Sequence, residues 1–333
     1  MKFKTIYVTG GGGYVGSALI PKLLEDGHKV KVLDLFIYGK DVLPKHPDLE
    51  LVQGDLRDTR LLAQSIPGSD ALIHLACISN DPSFELDSAL SKAINFDAFE
   101  PLVIAAKNAG VKRFVYASTS SVYGVSDAPS VAEDHPLVPI TDYNKYKGLC
   151  EPVLLREATK TFVPVVIRPA TVCGYAPRLR LDLTVNILTL RAFLDGKITV
   201  FGGKQMRPNI HIGDMVDLYR LLLELPDEKI ASKTFNAGYE NHTVADLAQT
   251  VIEVARKRFP KRKFEIVTTP SDDIRSYKIS SEKIGRELGF KAKRTIADAV
   301  DGLLDAFEAG KVPDAESSDR YYNIKTMKAV KLA

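Results

Sequence analysis

A chain of 333 residues can bury one large core with a smaller companion, and its 45% apolar and 26% charged residues are ordinary for an enzyme. Lys plus Arg exceed Asp plus Glu by only +3, which argues against nucleic-acid or membrane-surface partners. Cys77, Cys150 and Cys173 are odd in number and lack a C-x-x-C pair, suggesting neither a disulfide framework nor a metal site. No apolar run opens the chain as a signal core or reaches spanning length, so a cytoplasmic setting is expected.

The stretch Lys4–Thr9 is rich in β-formers, breaks into Gly10-Gly11-Gly12-Gly13, and resumes with Tyr14, Leu19, Leu23 and Leu24 at helical spacing. This is strand, tight turn, helix. Gly10, Gly13 and Gly16 form G-x-x-G-x-x-G. The first suits a sharp turn, the second a close backbone approach to a pyrophosphate, and the third tight packing of helix on strand. Free N–H groups at the helix start then face the phosphates. Alone, such glycines would equally suit a loop without a ligand. The context is supplied by Asp34, at the end of the next β-like run, His28–Leu33. A carboxylate there accepts both ribose hydroxyls of adenosine and repels a 2′-phosphate, and Leu35 and Phe36 follow without an Arg. The cofactor read from these residues is NAD rather than NADP.

Leu49–Gln53 and Asp70–Ala76 are the next strands, Ala89–Ala109 a long amphipathic helix closed by Gly110, and Arg113–Ala117 a further strand. Continuous apolar runs alternating with helices imply a parallel sheet buried on both faces, with ligands beyond its carboxyl ends. Those ends are Gly10–Gly16, Asp34, Asp55-Leu56, Leu75–Ser79 and Ser118–Ser121. Asp55 with Leu56 suits an adenine edge, or Asp55 caps the helix Thr59–Ser65; the two roles are compatible. His74, inside an apolar run, reads as structural, and Cys77 as a small packing residue.

Tyr143-Asn144-Lys145-Tyr146-Lys147 follows the loop Asp127–Thr141 and opens a helix reaching Glu157. Residues four apart share a helix face, so Tyr143 and Lys147 project together. A phenol of pKa about 10 becomes a base near neutrality only where positive charge stabilises the phenolate. Lys147 and an oxidised nicotinamide would supply it. Ser118–Gly124, at the preceding strand end, offers a hydroxyl for the same substrate oxygen. The chemistry is alcohol–carbonyl interconversion.

On Thr9–Gly16, Gly54–Asp58, His74-Leu75-Ala76, Asn95, Ser118–Gly124, Tyr143–Lys147 and Arg168–Gly174, the sequence closely resembles the extended short-chain dehydrogenases/reductases. Within them it resembles the NAD-dependent sugar-nucleotide epimerase/dehydratase branch. The resemblance reaches about residue 310. It implies an α/β fold, a Rossmann-type doubly wound parallel sheet over residues 1–170 carrying the catalytic residues. Residues 171–310 would form a smaller α/β substrate part, some of whose strands can return to the sheet. It makes Tyr143 the base, Lys147 its partner and holder of the nicotinamide ribose, and Thr119 the catalytic hydroxyl. Tyr14, Val15, Asp34, Asp55, Leu56, Leu75, Ala76 and Asn95 fall on cofactor positions.

Phe201–Asp214 resembles the segment whose Arg, here Arg207, binds substrate phosphate, and Asp272-Asp273-Ile274-Arg275 the second such segment. An Arg fork suits a diphosphate. The segment Arg178–Asp182 is similar to the P-R-M-R-L-D-L stretch of heptose-nucleotide C4 dehydrogenases of bacterial surface-polysaccharide pathways, which points to Arg180 and Asn186 as substrate contacts, against a competing reading as solvated loop charges. Two departures stand out. Ser120-Ser121 replaces the acid pair of the sugar 4,6-dehydratases, which argues against dehydration. Thr171 stands where an Asn usually contacts the substrate, which weakens a simple epimerase assignment.

Thr243 and Asp246 form a capping box ahead of a helix, Ser280–Leu288 and Thr295–Glu308 are further helices, and residues 311–333 read as a peripheral tail. Ala89–Ala109 and Tyr143–Glu157 carry apolar residues on more than one face, and the resemblance implies a homodimer across them. The expected activity is C4 oxidation of a nucleoside-diphosphate sugar, ending in epimerisation or net dehydrogenation. A carbonyl reductase of a non-nucleotide alcohol and a non-catalytic NAD sensor are the alternatives.

Overall fold

The computed structural model describes residues 2–271 and 275–330. Its strands are β1 (Thr5–Thr9), β2 (Lys29–Asp34), β3 (Leu49–Gln53), β4 (Ala71–His74), β5 (Arg113–Ala117), β6 (Val163–Pro169), β7 (Thr171–Cys173), β8 (Lys197–Phe201), β9 (Met206–His211), β10 (Lys233–Ala237), β11 (Glu240–Thr243) and β12 (Glu265–Thr269). Seven form one sheet in the order β10-β6-β5-β4-β1-β2-β3, every pairing parallel. Winding reverses between β1 and β4, which places a crevice beyond their carboxyl ends. β4 is buried throughout, whereas β3 at the edge is half-exposed, as the continuous and the broken apolar runs require.

Helices cover both faces. Tyr14–Glu25 packs against Ile212–Glu224, while Thr59–Ser65, Phe99–Asn108 and Asp142–Leu155 contact one another in succession. Leu19, Ile20 and Leu23 of the first helix are fully buried, each stabilising the fold by roughly 1.5–3 kcal/mol. A second core lies in the smaller half. There Thr184–Asp195, Val244–Arg258 and Ile296–Glu308 pack Leu188, Leu247, Val251 and Leu303 together. The expected capping box of Thr243 with Asp246 is present, and Thr295 with Asp298 forms a second one.

Four local expectations differ from the structure. The stretch Ala89–Ala109 is not one helix: Ser88–Lys92 and Phe99–Asn108 flank a wider π turn at Ala93–Asp97, where the Asn95 side chain is drawn to the backbone of Ile78. The cap of Thr59–Ser65 is Asp58, whose carboxylate accepts from the N–H groups of Arg60 and Leu61, and not Asp55. Beyond the division at residue 170, β10 returns to the larger sheet as the expectation allows, but the helix Ile212–Glu224 returns with it, which the expectation does not include. The described part of the tail is packed: Tyr321 and Asn323 are buried, Asn323–Ala329 is helical, and Leu181 N–H donates to the Tyr321 carbonyl.

One buried ion pair ties β6, the end of β5 and the helix Asp142–Leu155 together. Arg168 on β6 forks onto Glu151 of Asp142–Leu155, with Nη2–Oε2 at 2.6 Å and Nε–Oε1 at 3.0 Å. Ser118, just past β5, donates to Oε1 at 2.6 Å, and Arg168 Nη1 donates to the Tyr123 hydroxyl at 2.7 Å. Glu151→Gln would leave a guanidinium buried without its anion. Urea unfolding of that variant should show a loss of roughly 3–5 kcal/mol.

Candidate active site

A cavity of about 1100 Å³ opens at the carboxyl ends of the sheet and continues into the smaller half. It brings together Gly10, Gly13, Tyr14, Val15, Gly16 and Asp34 from the first βαβ unit, and Asp55, Leu56, Leu75 and Ala76 from the next strand ends. Thr119, Tyr143, Lys147, Thr171, Arg180, Arg207 and Arg275 line the rest of it. Asn95 and Asn186 do not.

The first helix has no side-chain cap and no acidic residue in its first turn, so its N–H groups face the cavity uncompensated. Gly10 has φ +74°, and a Cβ there would meet Ala76 N at 2.5 Å. A Cβ on Gly16 would fall 2.4 Å from the Gly11 carbonyl oxygen. The cradle is thus shaped by absent side chains and fits a diphosphate. Asp34 is held in place by two backbone donors, Gly12 N–H to Oδ2 at 2.9 Å and Phe36 N–H to Oδ1 at 2.7 Å. Burial pushes its pKa up, against those two hydrogen bonds. Asp55 is paired with Arg57 at 2.7 Å, which holds its carboxyl below the usual range.

Tyr143 and Lys147 lie on the expected helix, whose cap Thr141 accepts from the Asn144 N–H. Lys147 is buried, donates to the Ala117 carbonyl, and its Nζ sits 4.5 Å from the Tyr116 ring centroid. Burial pushes the Tyr143 phenol well above its ordinary pKa. Cys77 and Asp81 add to that push, while the Arg180 charge and the Asn80 N–H oppose it. Taken together, the burial and these neighbours favour the phenol. Thr119 is nearly buried, its Oγ1 accepting from Ser121 N–H at 3.2 Å. His74 is buried with Nδ1 2.7 Å from Thr9 Oγ1, and burial keeps its pKa low, as a structural histidine requires.

Both asparagines act on the site from behind. Asn95 Oδ1 accepts from Ile78 N–H and its Nδ2 donates to the Ile78 carbonyl, pinning the loop after β4. Asn186, fully buried, accepts from Gly174 N–H and donates to the Tyr14 hydroxyl and the Arg180 carbonyl. Neither amide lines the cavity, so the cofactor and substrate roles expected from sequence would be exerted through the backbone and wall groups that these side chains hold. Arg180 itself faces the cavity but is forked by Asp182 at 3.0 Å and donates to Ser79 Oγ.

At the far end Arg207 donates to the carbonyl of Arg275, and Arg275 Nη1 meets Asp81 Oδ2 at 2.6 Å. Asp81 Oδ1 accepts from Thr141 Oγ1 at 2.6 Å, which joins this end to the start of the Tyr143 helix. Asp272, Asp273 and Ile274 of the second arginine segment lie outside the described residues. Sequence reasoning missed Asp81, Tyr277 and Phe201. Tyr277 is within 3.1 Å of Ser120 Oγ and 3.2 Å of Ser121 Oγ, giving three hydroxyls where an acid pair is absent. Phe201, 62% exposed on the cavity lip, was signalled only by the following Gly202-Gly203 turn. Among the described residues no group of His, Cys, Asp or Glu gathers as a metal site would, and no helix is long and apolar enough to cross a membrane.

Comparison with known proteins agrees with this geometry. The model of the NAD dependent epimerase/dehydratase family matches residues 6–238. The chain is 28% identical over 323 residues to a UDP-glucose 4-epimerase of Lactobacillus helveticus, spanning 89% of this chain and 94% of that protein. It is 29% identical over 276 residues to a 3 beta-hydroxysteroid dehydrogenase/Delta 5-->4-isomerase of Mycobacterium tuberculosis, spanning 77% of this chain and 70% of that one. Among solved structures it is similar to MoeE5 in complex with UDP-glucuronic acid and NAD, with TM-score 0.80 and 25% identity, over 92% of this chain and 99% of the other.

The glycine cradle gives a direct test. In Gly16→Ala the new methyl must displace the Gly11 backbone, at a cost of roughly 1–3 kcal/mol in unfolding free energy. Titration calorimetry should show NAD+ binding weakened with it.

Proposed function

We propose, for a chain that belongs to the NAD dependent epimerase/dehydratase family, an enzyme that oxidises a hydroxyl, at C4, of a nucleoside-diphosphate sugar. NAD is the cofactor of that family. The observation that carries this reading is one continuous cavity with the glycine cradle at one end, Thr119, Tyr143 and Lys147 in the middle, and Arg207 with Arg275 at the other. A dinucleotide on the cradle and Asp34 and a diphosphate near the arginines would leave a sugar at the tyrosine. Phe201 offers a flat apolar face at the lip for the substrate's base.

When bound, NAD+ supplies the hydride acceptor and a positive ring charge near Tyr143. Tyr143 as phenolate takes the hydroxyl proton onto its oxygen, while Thr119 Oγ hydrogen-bonds the same substrate oxygen. Lys147, which lines the same cavity, would hold the nicotinamide ribose. Ser120, Ser121 and Tyr277 present neutral hydroxyls to the sugar, and none is an acid strong enough to expel water readily. The reading is therefore 4-epimerisation or C4 dehydrogenation rather than dehydration. Ile104 and Leu149, 37% and 42% exposed, mark the helix face on which two copies would pair.

A non-nucleotide alcohol is the competing substrate. It brings no anion to the arginine-lined end, and a panel of nucleotide sugars and hydroxysteroids with NAD+ separates the two. Turnover should occur with a nucleotide sugar, changing C4 stereochemistry or oxidation state by NMR. Tyr143→Phe should lower kcat by roughly 10²–10⁴ while still binding NAD+. Undiminished turnover by that variant would remove Tyr143 as the base.

The pH profile tests the same assignment through its neighbours. The active form is the phenolate, so kcat falls on the acid side as Tyr143 is protonated. Asp81→Asn removes a negative neighbour and should move that limb to lower pH. Arg180→Gln removes a positive one and should move it to higher pH. Limbs that stay put in both would mean another group titrates.

A further inference from the structure

Four arginines are buried among the described residues: Arg113, Arg168, Arg178 and Arg180. Arg113 reaches Asp227, Arg168 forks Glu151, and Arg180 forks Asp182. Arg178 is the exception. It is 2% exposed, yet its polar partners are neutral: Nη2 donates to Asn323 Oδ1, and the guanidinium lies 3.6 Å from the Tyr38 ring centroid. Its Nε has no hydrogen-bond partner. Asp34 and Asp182 act on it only through space, and burial pulls its pKa down to about 10.

A buried cation without an anion is costly, so the missing charge has to come from outside the chain. Arg178 lines the cavity at the dinucleotide end. Its backbone N–H donates to Ser17 Oγ, one residue past the last cradle glycine, and its ring partner Tyr38 follows Asp34 by four positions. The substrate-side arginines, Arg207 and Arg275, lie at the opposite end of the cavity, beside Asp81 and Thr141.

We propose that Arg178 is a cofactor-binding residue that meets the diphosphate of NAD from the side facing the glycine cradle, and that Asn323 is the residue that positions it. This rests on NAD as the cofactor and not on the identity of the sugar. The cradle offers backbone N–H groups to one face of the diphosphate, and the guanidinium offers a fork to the other. Asn323 fixes that fork from the C-terminal segment. Its Oδ1 accepts from both Arg178 and the Tyr38 hydroxyl, its Nδ2 donates to Ser79 Oγ at 3.0 Å, and its own N–H donates to Asp182 Oδ2 at 3.2 Å.

The test uses the full chain, Arg178→Met and Asn323→Ala, titrated with NAD+, NADP+ and UDP as separate probes, with thermal unfolding measured without and with each. Arg178→Met should weaken NAD+ binding roughly tenfold or more, the loss of one charge-assisted contact. Its ligand-free melting temperature should stay level or rise, because an unpaired buried charge has gone, whereas a purely structural arginine would lower it. Asn323→Ala should weaken NAD+ binding in the same direction by a smaller factor, and carries the test alone if Arg178→Met does not fold. UDP affinity should be unchanged in both. Wild-type NAD+ affinity in both variants overturns the proposal. So does a loss confined to UDP, which would give the anion to the substrate, or one confined to NADP+, which would give it to a 2′-phosphate.

Discussion

The fork of Arg168 on Glu151 is the contact on which the geometry of the candidate site rests. It joins β6 to the helix bearing Tyr143 and Lys147, and through Ser118 it fixes the turn that carries Thr119. Through Tyr123 it extends to Asn236 of β10, whose amide donates to the carbonyls of Val131 and Ser280. A hydrophobic pair of similar volume could hold the elements together as firmly. What it would not give is direction, since a planar guanidinium facing a planar carboxylate allows few rotations of strand against helix.

Charge is distributed unevenly along the cavity. At the cradle, backbone N–H groups and Arg178 are positive, in the middle Tyr143 is balanced between Asp81 and Arg180, and at the far end Arg207 and Arg275 return to positive. On the proposed reading, an anionic dinucleotide and an anionic nucleotide sugar would each have a seat. A neutral sugar would then fall between, where the walls are hydroxyls and a phenol. Asp81 belongs to two of these zones at once, because the carboxylate that pairs with Arg275 also raises the Tyr143 pKa.

What could be read from the residues was what is local. The glycines, Asp34, and Tyr143 with Lys147 carry their meaning in spacing, because turn, strand end and helix face are set by neighbours in sequence. The parallel sheet followed from apolar runs without alternation. Asn95 and Asn186 could not be placed, since a short amide suits a ligand and a backbone equally well. Their partners, Ile78 and Gly174 with Tyr14, are set only by the folded chain. Asp55 and Asp58 are both acidic residues ahead of one helix, and a single position decides which caps it. The tail after Gly310 looked peripheral because its polar residues were judged by composition. Asn323 is polar in order to join buried polar groups, so composition gave the opposite sign.

The partnership of Tyr38 with Asn323 spans 285 positions. A ribosome adding about 5–20 residues per second takes on the order of tens of seconds to cover that distance. The strands flanking the glycine turn can pair early, but this wall of the crevice stays unfinished until the late segment emerges. Quality control of the nascent polypeptide thus meets, late in synthesis once β10 has emerged, a sheet able to close beside a pocket still open to solvent.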